Sequence, residues 1–146
     1  MNRVFLDANV LFSAAISSGG ASRAIFELAE QHPKVLEVVV SEYAITEALR
    51  NLQQKRSEAV SDLLLLINGR RFTQEPPQVL IDRLRELVSD SKDVPIVAGA
   101  VWARADLLVT GNSRHFGKLY GNHVGGCLIL PPREALDLLL SEIQEG

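Results

Sequence analysis

The stretch "VFLDANVL", residues 4–11, places a carboxylate and an amide at the point where an apolar strand ends. Three apolar residues precede Asp7, and the apolar pattern resumes at Val10 and Leu11, directly after Asn9. A turn aspartate usually has polar neighbours. Two interpretations follow: Asp7 is a turn or helix-cap residue, or it belongs to a site that binds a positively charged group.

Apolar runs alternate with amphipathic segments along the rest of the chain. Continuous apolar runs predict strands over 3–6, 35–41, 106–111 and 126–130. Helical spacing of apolar residues predicts helices over 23–31, 42–55, 57–67, 78–90, 95–105 and 131–143. Strands that are continuously apolar, rather than alternating, are typical of a parallel sheet that helices cover on both faces. The pattern therefore predicts an α/β fold.

The composition fits one globular domain, expected over residues 1–146, with 47% hydrophobic and 23% charged residues. The net charge of −3 means that nucleic-acid binding would need a local basic patch. Cys127 has no partner for an internal disulfide and is expected in the core. The apolar run 63–67 is too short to span a bilayer, and Asp7 and Asn9 interrupt any signal-peptide core. We therefore expect a cytoplasmic protein without a membrane partner.

Further acidic residues lie at helix positions. Glu47, in "SEYAITEALRNL" (41–52), projects away from the apolar stripe of its helix, which is typical of a solvated residue. Asp93 stands just before a helix that opens with Pro95, where it could cap the helix or remain ionised beside the positive end of the helix dipole. Asp90 has the same two interpretations.

Polar residues also follow a later strand. Because the carboxyl ends of parallel strands meet at one edge of a sheet, Asp7 and Asn112 are expected at the same edge. Crowded carboxylates there would repel one another, and a bound divalent cation would remove the conflict. An all-oxygen set of ligands suits Mg²⁺ or Mn²⁺. The histidines, which lack the spacing of a metal pair and are predicted to be loop or surface residues, are His32, His115 and His123.

In three stretches the sequence resembles the PIN domain family, nuclease domains best known as the toxins of bacterial toxin–antitoxin pairs. "VFLDANVLFSA" (4–14) resembles the opening motif of the family, and "SEYAITEALRNL" (41–52) resembles the helix with its second acid. "DSKDVPIVAGAVWARADLLVTGNSRHF" (90–116) resembles its long third motif. With "ILPPREALDLL" (129–139), the likeness covers nearly the whole chain in the family's order.

This resemblance implies a three-layer α/β/α sandwich with a central, mostly parallel sheet. It also implies an acidic site that binds Mg²⁺ or Mn²⁺ and cleaves RNA. By position, Asp7, Glu47 and Asp93 match the family's metal-holding, catalytic acids. Asn112 matches a position that is often a fourth aspartate. An amide offers an oxygen without a charge, so we expect one firmly held ion and a second that is recruited only with substrate.

The chemistry of such a site predicts the substrate contacts, and the resemblance implies a protein partner. Asn9, Thr110 and Ser113 would orient waters or phosphate oxygens. Arg114 and Lys118, with His115 between them, would hold the RNA backbone. An antitoxin protein is the expected partner, and a homodimer is a further possibility. The segment 57–67 is either a docking surface or a core helix.

Two other functions remain open. A catalytically weak PIN fold that binds RNA or protein is one, because the fourth acid is missing. Another Mg²⁺-dependent phosphoryl-transfer domain is less favoured, because Asp7 is not followed by a second carboxylate and no lysine follows the strand at 126–130.

Overall fold

A six-stranded sheet forms the centre of the computed structural model, which describes residues 2–88 and 90–145. The strands, in chain order, are β1 Asn2–Leu6, β2 Leu36–Ser41, β3 Arg71–Thr73, β4 Leu107–Val109, β5 His123–Val124 and β6 Cys127–Leu130. Their spatial order is β3-β2-β1-β4-β6-β5. Within the described ranges, the pairings are parallel except that of β5 with β6. The predicted mostly parallel sheet is confirmed.

Helices connect the strands and cover the sheet. They are α1 Ala8–Ile16, α2 Ala21–Gln31, α3 Glu42–Lys55, α4 Val60–Ile67, α5 Gln78–Leu84, α6 Val94–Trp102, α7 Ser113–Phe116 and α8 Pro132–Glu145, with a 3₁₀ turn at Ser57–Ala59 before α4. The chain moves outward from β1 to β3 and then crosses back to β4 on the other side of β1. Right-handed crossovers in opposite directions place helices on opposite faces. The α/β/α sandwich is thereby confirmed.

The strand order creates a crevice where the polar residues lie. β1 pairs with β2 on one side and with β4 on the other, so the connections reverse direction between β1 and β4. Leu6 is opposite Val109, and the Asp7 N–H donates to the Val109 carbonyl at 3.0 Å. In open parallel sheets, ligands bind outside the carboxyl ends of the strands at such a point. Asp7 and the residues after Val109 therefore share one edge, as predicted.

The core follows the apolar runs that predicted the strands. Val4, Phe5 and Leu6 of β1 are fully buried, and Cys127 is buried as expected. Among the described helices, none combines the length and the apolarity that crossing a membrane requires.

The structure corrects the predicted helix 78–90, because α5 ends at Leu84. The N–H groups of both Leu87 and Val88 donate to the Leu84 carbonyl, at 3.0 and 3.1 Å, so the helix tightens into a turn. Val88 is thereby buried while Leu87 is 60% exposed. Asp90 consequently lies in a loop before α6, where its side chain can approach the carboxyl edge of the sheet.

Candidate active site

Asp7 is held at the end of β1 by hydrogen bonds to both of its carboxylate oxygens. Oδ1 accepts from the Ala8 N–H at 2.6 Å and caps α1. Oδ2 accepts from the Thr110 hydroxyl at 2.8 Å and from Asn9 Nδ2 at 3.2 Å. Capping of α1 therefore accounts for Oδ1 of Asp7 but not for Oδ2. The other oxygen is fixed by polar groups from the ends of two strands.

Asn9 and Thr110 hold Asp7 in place. The Asn9 Oδ1 accepts from the Gly111 N–H at 2.7 Å, so its amide links the ends of β1 and β4. Thr110 is fully buried, and its carbonyl accepts from the Tyr120 hydroxyl at 2.7 Å. The Thr110 hydroxyl thus orients Asp7, and its predicted contact with waters or phosphate oxygens stays a prediction.

Asp93 stands at the start of α6, but its side chain makes no capping hydrogen bond. Its Oδ2 instead lies 2.9 Å from His115 Nδ1. The residue is buried, with 9% of its surface exposed. The capping interpretation therefore does not explain this carboxylate.

His115 lies in α7 rather than in a loop, and its partly exposed side chain stands between two carboxylates. Its side chain is 31% exposed. Nδ1 faces Asp93, and Nε2 lies 3.5 Å from Asp90 Oδ2. The other oxygen of Asp90 accepts from the Lys92 N–H at 2.9 Å. The three side chains offer ligand atoms that all lie within 4.8 Å of one another.

A cavity of about 240 Å³ brings the predicted acids together. Its lining includes Asp7, Asn9, Glu47, Asn51, Lys92, Asp93, Asn112 and His115. Glu47 reaches this cavity from α3 and is half-buried rather than solvated. Carboxylates from three separate segments of the chain therefore face one space at the carboxyl edge of the sheet.

The residues after β4 divide into two groups. The Asn112 Oδ1 accepts from the His115 N–H at 3.3 Å and caps α7, while the residue also lines the cavity. A carbonyl oxygen has two lone pairs, so this cap leaves one acceptor position. Ser113, Arg114 and Lys118 are exposed outside the cavity lining. They lie where a long substrate could contact them.

Burial, and to a lesser extent neighbouring negative charges, raise the pKa values of Asp7 and Asp93. Burial raises the pKa of Asp7, and the charge of Glu47 raises it further, against the effect of the Thr110 hydrogen bond. Burial also raises the pKa of Asp93, and the facing His115 partly opposes this change. Burial and the neighbouring Glu47 raise the pKa of Tyr43 to about 12. The cavity therefore penalises additional negative charge and favours a cation.

The residues present fit a divalent cation. Asp7, Glu47 and Asp93 provide carboxylate oxygens, which are the ligands that Mg²⁺ and Mn²⁺ prefer. Asp93 Oδ2 and His115 Nδ1 are buried, and their contact with each other does not have the geometry of a well-formed hydrogen bond. A cation in the cavity would give such atoms a partner.

A model of the PIN domain family matches residues 3–114, a segment that contains all three carboxylates. The chain belongs to the PIN domain family. PIN domains are generally nucleases, and the family generally uses a divalent metal. A comparison with curated proteins finds no match.

Solved structures support the same PIN fold. VapBC2 from Rickettsia felis, bound to a DNA fragment from its promoter, matches with a TM-score of 0.64 over 88% of this chain and 98% of that one. PAE2754 from Pyrobaculum aerophilum matches with a TM-score of 0.62 over 96% and 98%. FitAcB from Neisseria gonorrhoeae matches with a TM-score of 0.58 over 89% and 98%. Each is 16% identical to this chain, so the likeness concerns the fold alone.

Two residues of the PIN-domain cavity, Asn51 and Lys92, were missed in the sequence, and His115 was expected to contact RNA rather than to face Asp93. Asn51 lies four residues after Glu47, so helical spacing alone could have placed the two side chains on one face. Lys92 and His115 lie in a turn and in a four-residue helix. Their approach to the cavity depends on the path of the chain, which periodicity does not give.

The raised pKa of Asp7 predicts a pH dependence of stability. The folded state binds this proton more tightly than the unfolded chain does. Its contribution to stability is fully present below the ordinary value of 3.8 and is lost as the pH rises through the folded pKa. We expect the unfolding free energy of the metal-free wild type, minus that of Asp7→Asn, to fall as the pH rises above the ordinary value of 3.8. Denaturant unfolding with a chelator measures this difference, and a constant or rising difference would contradict the assignment.

Proposed function

We propose that this PIN domain is a Mg²⁺- or Mn²⁺-dependent endoribonuclease and the toxin of a toxin–antitoxin pair. The observation that carries the proposal is the convergence of Asp7, Glu47 and Asp93 on one cavity at the reversal point of a parallel sheet. These acids come from the ends of distant chain segments, and structural stability does not explain their crowding.

The chain's own residues have distinct roles in this function. Asp7, Glu47 and Asp93 would hold the cation, with Asn112 offering an amide oxygen. When bound, the cation supplies activation of water and neutralisation of charge on the phosphodiester. Asn9 and Thr110 keep Asp7 in place through the hydrogen bonds described above. Because these positions are fixed before substrate binds, little reorganisation is needed during the reaction.

RNA would approach across the residues that follow Asn112. Ser113, Arg114 and Lys118 are exposed there, immediately after the cavity lining. Two cations close to an acidic cavity would guide a polyanion to it although the net charge of the chain is −3. The scissile phosphate would then meet the cation, while flanking phosphates contact the basic side chains.

Salt dependence tests this path. The double change Arg114→Ala and Lys118→Ala should reduce the slope of log affinity against log salt by about 1.4, since each phosphate contact on a single strand contributes about 0.7. Binding of a single-stranded RNA to a cleavage-deficient background, measured by anisotropy at several salt concentrations, gives the slope. Lys34→Ala, an exposed change before β2 at the opposite edge of the sheet, is the matched control. An unchanged slope in the double variant would contradict the path.

An antitoxin protein is the proposed partner. The family resemblance supports it, as do the fold neighbours named VapBC2 and FitAcB. The segment 57–67, which contains α4, has a side in the core and an exposed apolar side. Leu63 and Ile67 are buried, while Leu64 and Leu65 are 50% and 75% exposed. The exposed pair is available to a partner. A homodimer stays a prediction.

Metal-titrated cleavage separates the proposed function from its alternative. Purified protein freed of metal is incubated with single-stranded RNA and increasing Mg²⁺ or Mn²⁺, and with single-stranded DNA of the same sequence. Metal-dependent cleavage of RNA is expected. Binding of RNA without cleavage at any metal concentration would instead support a non-catalytic binding module.

A further inference from the structure

His115 places a ring nitrogen inside the cavity that the proposed function assigns to oxygen ligands. Nδ1 and Asp93 Oδ2 are 2.9 Å apart, a close ion-pair contact without the geometry of a well-formed hydrogen bond. Both atoms are buried, and among the described residues they have no hydrogen-bond partner beyond this contact with each other. Leaving a buried polar atom without a partner costs free energy. A cation between these two atoms would satisfy both of them more fully than their contact with each other does.

The separation of these atoms matches two ligands of one ion. Neighbouring ligands on an octahedral dication, with bonds of about 2.1 Å at right angles, lie about 3 Å apart. The observed 2.9 Å between Asp93 Oδ2 and His115 Nδ1 agrees with that spacing. Both residues line the same cavity as Asp7 and Glu47. An ion held by the acids would therefore lie within reach of the ring nitrogen.

The opposite side of the imidazole faces a carboxylate. Nε2 lies 3.5 Å from Asp90 Oδ2, and the Lys92 N–H fixes the other oxygen of Asp90. The Asn112 side chain holds the backbone of His115 by accepting from its N–H. A histidine that binds metal commonly donates its second ring N–H to a carboxylate, which fixes the tautomer and leaves the first nitrogen free to coordinate.

We propose that His115 Nδ1 is a nitrogen ligand of the divalent ion, beside Asp93, and that Asp90 is its positioning residue. The inference rests on the proposed function in one respect, namely that the cavity holds a divalent ion. A mixed nitrogen and oxygen set favours a transition-metal dication over Mg²⁺, because imidazole suits transition metals and Mg²⁺ prefers oxygen. The physiological ion would then be of the Mn²⁺ type.

Pulsed electron paramagnetic resonance of bound Mn²⁺ tests the ligand directly. The tag-free full chain is loaded with Mn²⁺ alone, without RNA, and the spectrum is examined for coupling to ¹⁴N of an imidazole. The wild type is expected to show this coupling, and His115→Gln to lose it. His123→Gln, a change at the exposed residue of β5, should retain it.

Calorimetric titration of the same proteins measures selectivity. His115→Gln should weaken Mn²⁺ binding by about 10- to 100-fold and Mg²⁺ binding by less than about threefold. Asp90→Asn keeps the ligand but loses its orienting charge, so Mn²⁺ affinity should fall by about tenfold while the nitrogen coupling persists. Asp90→Asn therefore tests the orientation of the His115 ring even if His115→Gln folds poorly.

The outcomes separate this inference from the proposed function. Mn²⁺ that binds the wild type without nitrogen coupling, or coupling that survives in His115→Gln, would overturn the nitrogen ligand and leave an oxygen-only site intact. His115 would then be a cation paired with two carboxylates. A wild type that binds neither Mn²⁺ nor Mg²⁺ would overturn both proposals.

Discussion

Asp7→Asn is expected to fold and to cleave RNA about 1,000-fold more slowly than the wild type, a loss of about 4 kcal/mol in transition-state stabilisation. The substitution keeps one oxygen to cap α1 but removes the charge and replaces the second oxygen with an amino group. That amino group would face two donors, the Thr110 hydroxyl and Asn9 Nδ2. The cation would lose a ligand, and the polar network around it would lose its acceptor.

Single-turnover cleavage at saturating metal measures this loss, with circular dichroism to verify the fold. Asp137→Asn removes an exposed carboxylate of α8, 65% exposed, and serves as the matched control. Asp137→Asn should cleave at the wild-type rate. A cleavage rate for Asp7→Asn within about threefold of the wild-type rate would refute the catalytic role of this residue. A loss of even about 1.4 kcal/mol would lower the rate roughly tenfold.

Saturating Mn²⁺ is expected to stabilise the wild type strongly. A ligand at about 100 times its Kd adds about 2.7 kcal/mol to the unfolding free energy if it binds only the folded state. For a chain of this length, that corresponds to a rise in melting temperature of about 5 to 10 °C. The physical reason is that the ion compensates the charge of the buried Asp7 carboxylate, whose pKa is raised chiefly by burial and further by the charge of Glu47.

Thermal denaturation with and without metal measures this effect, with a chelator to define the metal-free state. Asp93→Asn should lose most of the shift because it removes one carboxylate from the cavity, whereas Asp137→Asn should retain it. A shift of equal size in Asp93→Asn and in the wild type would mean that the ion binds elsewhere.

The sequence predicted those parts of the fold that depend on local patterns. β1, β2, β4 and β6 were predicted because a continuous apolar run marks a strand buried on both faces. β3 and β5 were missed, since they are three and two residues long and Phe72 of β3 is 55% exposed. α1 was not predicted, because Ala8–Ile16 contains no charged residue to mark the solvent face of an amphipathic helix.

The site was predictable only in part. Placement of Asp7 and Asn112 at one edge followed from the parallel sheet, whereas Glu47 was assigned by resemblance. A residue off the apolar stripe of a helix is indistinguishable from a solvated one until the neighbouring helices are known. The burial of Thr110 and the approach of His115 to Asp93 depend on tertiary packing, which no local pattern encodes.

The most direct test of the central claim is an anomalous difference map from a crystal soaked in Mn²⁺. The account predicts a peak in the cavity, with oxygens of Asp7 and Asp93 at about 2.2 Å and Glu47 bound directly or through one water. A peak outside the cavity, or side chains of Asp7, Glu47 and Asp93 that turn away from one another in the presence of Mn²⁺, would contradict it.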